Sequence, residues 1–237
     1  TFQDKATFYD NTIDPLQADK FKDIFLIKTN HQGLPLWLRQ VSGPANNENP
    51  RVIVSTNQDP VLFGGFRAMA QIHGITLQAD KVDIFVARFD PQGKVLWAKK
   101  AGGIEDDYAT AAIALPDHSI VLAGHFKQTA QFGAHHLAAM GNNADIFLAR
   151  IQPDGTFAWA ERFGGDGREE VGAIAPHPKG ISVVGYYNGK SGFGSFRFPL
   201  NQGVNDNNAF VATFSLSAQS KPTVLWAIGT GGLDLEQ

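Results

Sequence analysis

An apolar run of one form recurs four times along the chain, and each copy opens with an aspartate or an asparagine. The copies occupy residues 23–28, 83–88, 145–150 and 208–213, and the first three begin with Asp-Ile-Phe. A tryptophan follows each run, and the four are Trp37, Trp97, Trp159 and Trp226. Because such regular spacing marks internal repeats, we predict about four copies of a repeat of roughly 60 residues.

Within each copy, short apolar segments separated by turn residues predict four strands. In the third copy, a first strand of small residues covers residues 111–114, and a second strand covers residues 120–126. In the second copy, the Asp-Ile-Phe run forms the third strand, and a fourth strand at residues 95–98 carries the tryptophan. Enrichment in β-branched and aromatic residues, bounded by Gly, Pro, Asn and Asp, is typical of strands.

The third strand is apolar on both faces. Because side chains alternate along a strand, Ile84 and Val86 point to one side, and Phe85 and Ala87 point to the other. Radial stacking of four-stranded sheets covers both faces and leaves only short edges. Small residues in the first strand and tryptophan in the fourth fit blades that converge on an axis and widen toward a rim. The predicted fold class is therefore all-β, a β-propeller built from four-stranded blades.

The chain ends are out of phase with the repeat. The units within the single propeller of residues 1–237, or part of a larger one, are assigned to residues 1–43 (partial), 44–103, 104–165 and 166–232. Phe2 and Phe8 have the spacing of Phe126 and Phe132, and Ile13 follows five residues later, so the chain is expected to begin at the end of a second strand. This predicts three full blades plus a half blade. Additional blades, or another copy of the chain, would be needed to close the ring.

Composition and charge narrow the partners that such a fold could take. The 237 residues carry a net charge of -3, with 43% hydrophobic and 18% charged residues. This balance supports a full core and gives no electrostatic basis for binding nucleic acid. No apolar stretch approaches the roughly 20 residues of a membrane span, so membrane insertion is not expected. The lack of cysteine excludes disulfides and thiolate metal sites.

Several motifs of the repeat match a known family. Residues 83–88, the Asp-Pro-Gln-Gly turn at 90–93, the tryptophan strand at 95–98, and the glycine pair at 102–103 followed by residues 106–108 resemble the SBBP-type β-propeller repeat of bacterial proteins. The resemblance covers nearly the whole chain. It implies an extracellular, cell-surface or periplasmic protein of a bacterium, and it brings no general catalytic motif.

The loops that enter the first strands are rich in carboxylates. Glu105, Asp106 and Asp107 form one such cluster. In a propeller these loops would gather on one face, where several carboxylates could hold calcium, a hard cation that prefers oxygen ligands. The cluster recurs with the repeat, however, as expected of Asp and Asn that cap strands and turns, and this second interpretation is favoured. No other cofactor is predicted.

Aromatic and histidine side chains supply candidate binding residues. Tyr186, Tyr187 and Phe193 could form platforms that stack on sugars, and His125 and His135 lie in the neighbouring unit. Neither histidine has a histidine counterpart in the other units, so surface or loop positions are favoured over ligand binding. The most individual parts of the repeat are the segments between second and third strands, where recognition loops are expected. They cover residues 67–82, 127–144 and 188–207.

These observations favour a non-catalytic interaction or scaffold module that binds a protein or surface partner through its blade loops. The polar features recur with the repeat, so blade architecture can explain them. A carbohydrate-binding, lectin-like propeller is the alternative. An enzyme with a site at the channel mouth is a third hypothesis, which fold alone does not exclude.

Overall fold

The computed structural model describes residues 1–7, 14–18, 20–199, 207–217 and 220–230. Strands make up 65% of the structure, and no helix occurs among the described residues. The sheets are antiparallel throughout this part of the chain. The predicted all-β class is confirmed. Closure of the sheets into a ring is not seen in the strand pairing and stays a prediction.

Twenty strands follow one another in the described residues. In chain order they are β1 (Lys5–Ala6), β2 (Leu16–Gln17), β3 (Ile24–Thr29), β4 (Pro35–Ser42), β5 (Asn47–Val54), β6 (Pro60–Ile72), β7 (Ile75–Phe89), β8 (Val95–Gly103), β9 (Tyr108–Ala114), β10 (Ile120–Lys127), β11 (Thr129–Phe132), β12 (His135–Ala138), β13 (Ala144–Ile151), β14 (Phe157–Phe163), β15 (Glu169–His177), β16 (Gly180–Tyr187), β17 (Gly192–Phe193), β18 (Phe196–Arg197), β19 (Asn208–Ser215) and β20 (Thr223–Gly229).

Three sets of four strands each form an antiparallel sheet in which the strands follow chain order. The second unit consists of β5, β6, β7 and β8, the third of β9, β10, β13 and β14, and the fourth of β15, β16, β19 and β20. The first unit contributes β3 and β4, which pair with each other. Within each complete unit, the order from first to fourth strand is the order that the repeat predicts.

A glycine in the second strand makes room for the phenylalanine of the third strand. Gly124 pairs with Phe147, and a Cβ at Gly124 would lie 1.9 Å from the carbonyl oxygen of Tyr108 and 2.8 Å from the Phe147 ring. Gly185 pairs with Phe210, whose ring would be 2.7 Å from a Cβ. The recurring glycine is therefore required by the close approach of a ring and a neighbouring backbone.

In the second and third units, the second and third strands extend into hairpins that pair with the preceding unit. The hairpin β11–β12 joins the edge of β8, where Phe132 lies opposite Ala101. In the second unit, the extended ends of β6 and β7 reach β4 in the same way, and Ile72 lies opposite Val41. Backbone hydrogen bonds thus tie consecutive units together.

This pairing corrects the expectation of free recognition loops in these segments. The backbone of residues 67–82 and 127–144 is largely used in sheet pairing, and both segments lie against a neighbouring unit. In the third segment, residues 188–207, the hairpin β17–β18 is described. Residues 200–206 lie outside the described residues.

The second unit is packed against a neighbour on both faces. We call the face toward the next unit the leading face and the face toward the preceding unit the trailing face. On its leading face, Ile84 and Val86 pack with third-unit side chains such as Phe147. On its trailing face, Phe85 packs with Ile24 of the first unit. All five side chains are fully buried, and they alternate as the strand period predicts.

The tryptophans of the first two fourth strands bridge to the following unit. Trp37 Nε1 donates to the carbonyl oxygen of Pro91 at 3.0 Å, and Trp97 Nε1 donates to that of Pro153 at 2.8 Å. A Cβ at Gly155 would lie 2.8 Å from the Trp97 indole, and the φ of +86° also favours glycine there. The indole of Trp97 therefore packs against the turn of the third unit, where the position of Gly155 has no room for a larger side chain.

The first residues continue the first unit in the expected phase. Phe2 forms an isolated bridge with Asp23, just as Phe126 pairs with Asp145 in the third unit. This pairing agrees with Phe2 at the end of a second strand. The remaining positions used in the phase prediction lie outside the described residues, namely Phe8, Ile13 and, in the last unit, residues 231 and 232.

Candidate functional site

Two buried carboxyls and a lysine form a cluster at the junction of the second and third units. Asp83 forms an ion pair with Lys100, with 2.5 Å between Oδ2 and Nζ. Asp107 accepts hydrogen bonds from the backbone N–H of Gly103 at 2.7 Å and from that of Lys127 at 3.1 Å. Both carboxyls are fully buried. The cluster therefore joins the two units from within.

The next junction repeats this arrangement. Arg162 Nη1 lies 2.6 Å from Oδ2 of Asp145, which also accepts a hydrogen bond from the backbone N–H of Met140 at 2.9 Å. Glu169 is fully buried and occupies the place that Asp107 has at the preceding junction. The first junction carries a single carboxyl in the corresponding set, which is Asp23, Gln40 and Asn47.

Burial raises the pKa of the second carboxyl of each pair. Desolvation raises the pKa of Asp107 to about 7, and the nearby Asp83 and Asp106 contribute to the rise. Desolvation likewise raises the pKa of Glu169 to about 7, with a contribution from Asp145. Each pair can therefore hold a proton near neutral pH. The carboxyls are enclosed and the cluster recurs with the repeat, as expected of a structural feature of the unit junctions.

The three carboxylates considered for calcium do not converge. Glu105 pairs with Lys81 at 2.6 Å, Asp106 lies 3.5 Å from Arg67, and Asp107 is buried in the junction. In the described part of the chain, no group of three or more His, Asp or Glu side chains is arranged to hold a metal ion. Each of the three carboxylates faces a different partner, and the calcium site stays a prediction.

Buried arginines make a further set of contacts between units, which the sequence analysis missed. Arg88 ends the apolar run of the second unit and is 1% exposed. Its Nε lies 2.8 Å from Asp59, and its Nη1 donates to the carbonyl oxygen of His118 in the third unit at 2.9 Å. Arg150 occupies the same position in the third unit, and its Nη1 donates to the carbonyl oxygen of Ser217 in the fourth unit at 2.5 Å. A basic residue at the end of the first three runs was the available signal.

Two of the aromatic residues considered as sugar platforms are core residues. Tyr187 is fully buried, and its hydroxyl lies 3.1 Å from the carbonyl oxygens of Pro199 and Thr230, either of which can accept its single proton. Phe193 is also fully buried, edge-on to Phe210 with 4.9 Å between ring centroids. Because neither ring has an open face, neither can stack on a sugar, and both assignments are corrected.

The two candidate histidines occupy separate environments. His125 lies against Tyr108, with 5.4 Å between ring centroids, and burial lowers its pKa although Glu170 acts in the opposite direction. It borders a small cavity of about 240 Å³. His135 lies elsewhere, with Nε2 at 3.0 Å from the carbonyl oxygen of Phe157. The structure therefore brings the two imidazoles into no common site.

Tyr186 remains as an accessible aromatic candidate. It is 56% exposed on the leading face of the fourth unit, beside an open groove of about 460 Å³. Trp226 and Ile228 line the same groove and are also exposed, and Ala209 and Val211 form part of its floor. This surface, which we call the open leading face, offers aromatic and aliphatic side chains for stacking or for burial against an apolar partner.

Comparison with known proteins adds no family assignment. No protein-family model matches the chain, and no curated protein sequence matches it. None of the described segments is a helix with the length and apolarity needed to cross a membrane. The likeness to the SBBP-type repeat therefore stays a prediction based on its motifs.

Proposed function

We propose that the four-stranded units are blades of a β-propeller, and that the chain is a non-catalytic interaction module of a bacterial exported or cell-surface protein. The module binds a protein or surface partner. The observation that carries this proposal is the open leading face, because the leading faces of the second and third units are covered by a neighbouring sheet. The bacterial and exported setting rests on the motif resemblance alone.

The way in which the units meet supports radial stacking. The first strands of consecutive units contact one another, β5 against β9 and β9 against β15. Across the second contact, Thr110 Oγ1 donates to the carbonyl oxygen of Val171 at 2.8 Å. The fourth strands carry the large tryptophans. Small side chains in β9 and β15, and large ones in the fourth strands, are consistent with blades around an axis.

The open leading face is best suited to another sheet of the same repeat. At the junction of the third and fourth units, Leu148 and Trp159 of a leading face pack with Ala212 and Phe214 of a trailing face. The open leading face has the same strand geometry, but no other sheet of the described residues covers it. We therefore infer that its partner is a trailing face, supplied by a second copy of the chain or by further blades.

Light scattering on the 237-residue chain tests the proposal. Since a second copy is the available source of a trailing face, we expect the measured mass to rise above that of a monomer as concentration increases. The substitution Ile228→Lys places a charge on the open leading face. It should weaken association about tenfold or more, because burying an unpaired charge is costly.

A matched control separates this effect from a general loss of apolar surface. Leu96 is 48% exposed in the second unit, which has neighbours on both faces. Leu96→Lys should leave association unchanged. A chain that stays monomeric over the whole concentration range would contradict the proposal, and so would equal effects of the two substitutions.

Carbohydrate binding is the second candidate, and the same groove favours it. Tyr186 and Trp226 present accessible aromatic surface there, and aromatic rings with a polar group are well suited to partly wet binding sites. A glycan panel should then contain a ligand that changes the tryptophan fluorescence. Tyr186→Ala should abolish the change.

Competition separates the two candidates. A glycan that binds the open leading face should dissociate any self-associated chain, since both events cover Tyr186. If no glycan in the panel alters fluorescence while self-association persists, the carbohydrate candidate fails and the interaction module stands.

A further inference from the structure

A cavity of the same kind recurs beside two of the carboxyl clusters. Each lies between the glycine pair that ends a fourth strand and the hairpin of the following unit. The second-junction cavity, beside Gly102 and Gly103, has a volume of about 520 Å³, and the third-junction cavity, beside Gly164 and Gly165, about 570 Å³. Both volumes fall in the range of small-molecule sites. The backbone forms the same cavity at both junctions. A residue that differs between the two linings is therefore not required by the fold.

The equivalence of the two cavities follows from close backbone contacts. The carbonyl oxygen of Thr129 lies against Gly103, and that of Lys190 lies against Gly165. In the hairpins, Phe132 pairs with His135 as Phe193 pairs with Phe196. The equivalent lining residues, second junction first, are Lys100 and Arg162, Thr129 and Lys190, and His136 and Arg197. All three third-junction residues are lysine or arginine.

The third-junction cavity therefore carries an excess of positive charge. Arg162 is paired with Asp145, but Lys190 and Arg197 form no ion pair with any described residue. Asp166 is the one carboxylate residue among the described residues that line the cavity. Among the described residues, two cations are thus left without an ionic partner, and Asp166 offsets part of their charge.

The remaining lining combines a fixed cation with apolar surface. Arg197 Nη1 donates to the carbonyl oxygen of Gly194 at 2.7 Å, which holds the guanidinium at the hairpin turn. Met140, Phe163 and Phe198 supply apolar lining. Arginine binds carboxylate and phosphate oxygens through parallel hydrogen bonds, and lysine adds a point charge. An oxyanion on a compact ring satisfies both parts of this surface.

We propose that the third-junction cavity binds a monosaccharide-sized ring that carries a carboxylate or a phosphate group. Lys190 and Arg197 hold the oxyanion, while Met140 and Phe163 contact the ring. The site lies at the junction of the third and fourth units and is distinct from the open leading face. It therefore does not depend on the function proposed above.

Isothermal titration of the whole chain with three probes tests this site. D-glucuronate represents a carboxylate source, D-glucose 6-phosphate a phosphate source, and D-glucose the neutral ring. We expect one of the two anions to bind one-to-one, more tightly than glucose, with an affinity that falls as salt is added. The tighter anion identifies the group that the cavity prefers. Failure of both anions to bind, or equal binding of glucose, would overturn the proposal.

The chain provides its own matched substitutions. The double variant Lys190→Thr with Arg197→His installs the residues found in the second-junction cavity, so the hairpin should still fold, and thermal unfolding checks this. It should weaken anion binding about tenfold or more. The control Lys94→Thr with Lys179→Thr removes two positive charges at exposed turns and should leave binding unchanged. An equal loss in both double variants would refute a site at this cavity.

Discussion

The junction of the third and fourth units and the open leading face place the same repeat positions in two environments. Trp159 is 3% exposed at the junction, whereas Trp226 at the equivalent position is 38% exposed. Leu148 is fully buried, but its counterpart Val211 is only partly buried. The side chains are similar, so the difference comes from the neighbouring sheet. The apolar side chains of this face are therefore exposed because no neighbouring sheet packs against them, and not because the fourth unit has a different type of residue at these positions.

The largest test of this contrast compares two aromatic truncations. Phe147 is fully buried at the second–third junction, with its ring centroid 4.6 Å from that of Phe132. Phe147→Ala should lower the free energy of unfolding by about 3–5 kcal/mol, because it leaves a cavity. Trp226→Ala should cost less, about 1–2 kcal/mol, since that side chain is 38% exposed and no sheet of the described residues packs against its face. Urea denaturation measures both, and equal losses would remove the distinction.

An effect that is smaller per residue follows from the carboxyl pairs at the junctions. The folded-state pKa of Asp107 and that of Glu169 are about 7, raised mainly by burial, whereas unfolded carboxyls titrate near about 4. The folded chain holds these protons more tightly. The stabilisation is thus fully present below about pH 4 and is lost as the pH rises through about 7. Urea denaturation should show a loss of roughly 2–4 kcal/mol per carboxyl across this range.

Neutral variants identify the carboxyls responsible. Asp107→Asn combined with Glu169→Gln should flatten the pH dependence of unfolding between about pH 4 and about pH 8. Asp154→Asn removes an exposed carboxylate whose pKa is lowered by hydrogen bonding with Thr156, so the loss toward alkaline pH should remain. A parent chain that is equally stable at about pH 5 and about pH 8 would rule out the junction carboxyls as its cause.

The smallest effect concerns two glycines in opposite settings. Gly124→Ala would force a Cβ to within 1.9 Å of a carbonyl oxygen in the crowded third unit, and it should destabilise the chain by about 1–3 kcal/mol. Gly172 lines the open leading face, and the nearest atom to an added Cβ is 3.6 Å away. Gly172→Ala should be neutral or stabilise by about 0.4–1 kcal/mol, because it restricts the unfolded chain. Thermal unfolding distinguishes the two outcomes.

Features that depend on local period could be predicted from the sequence. Alternation alone separates Ile84 from Phe85, and the structure places them in different core clusters. The pairing of hairpin β11–β12 with β8 could not be predicted in this way. Its partner lies in another unit, and nothing in the local pattern specifies which edge the hairpin will meet. The predicted loops therefore became paired strands.

For the candidate site, too, some features could be predicted from the sequence and others could not. Tyr187 occupies the repeat position of Phe66 and Phe126, both fully buried, so the repeat alignment already contained the signal for a core residue. Tyr186, one residue earlier, faces the other side of the strand. The excess of positive charge in the third-junction cavity could not be predicted from the sequence. Lys190 and Arg197 line the same cavity as Arg162 only because of where the hairpin lies in the fold.

The hairpins of the second and third units meet the preceding units in one common register, with Phe132 opposite Ala101 and Ile72 opposite Val41. The edge of one unit therefore offers the backbone groups that the hairpin of another unit requires. If a whole repeat were removed or duplicated, each hairpin would still meet a strand edge with the same backbone groups. A deletion that shifts a strand by one residue would instead turn its side chains to the wrong face. An ancestral gene of this architecture could thus change its length by recombination in steps of one complete repeat.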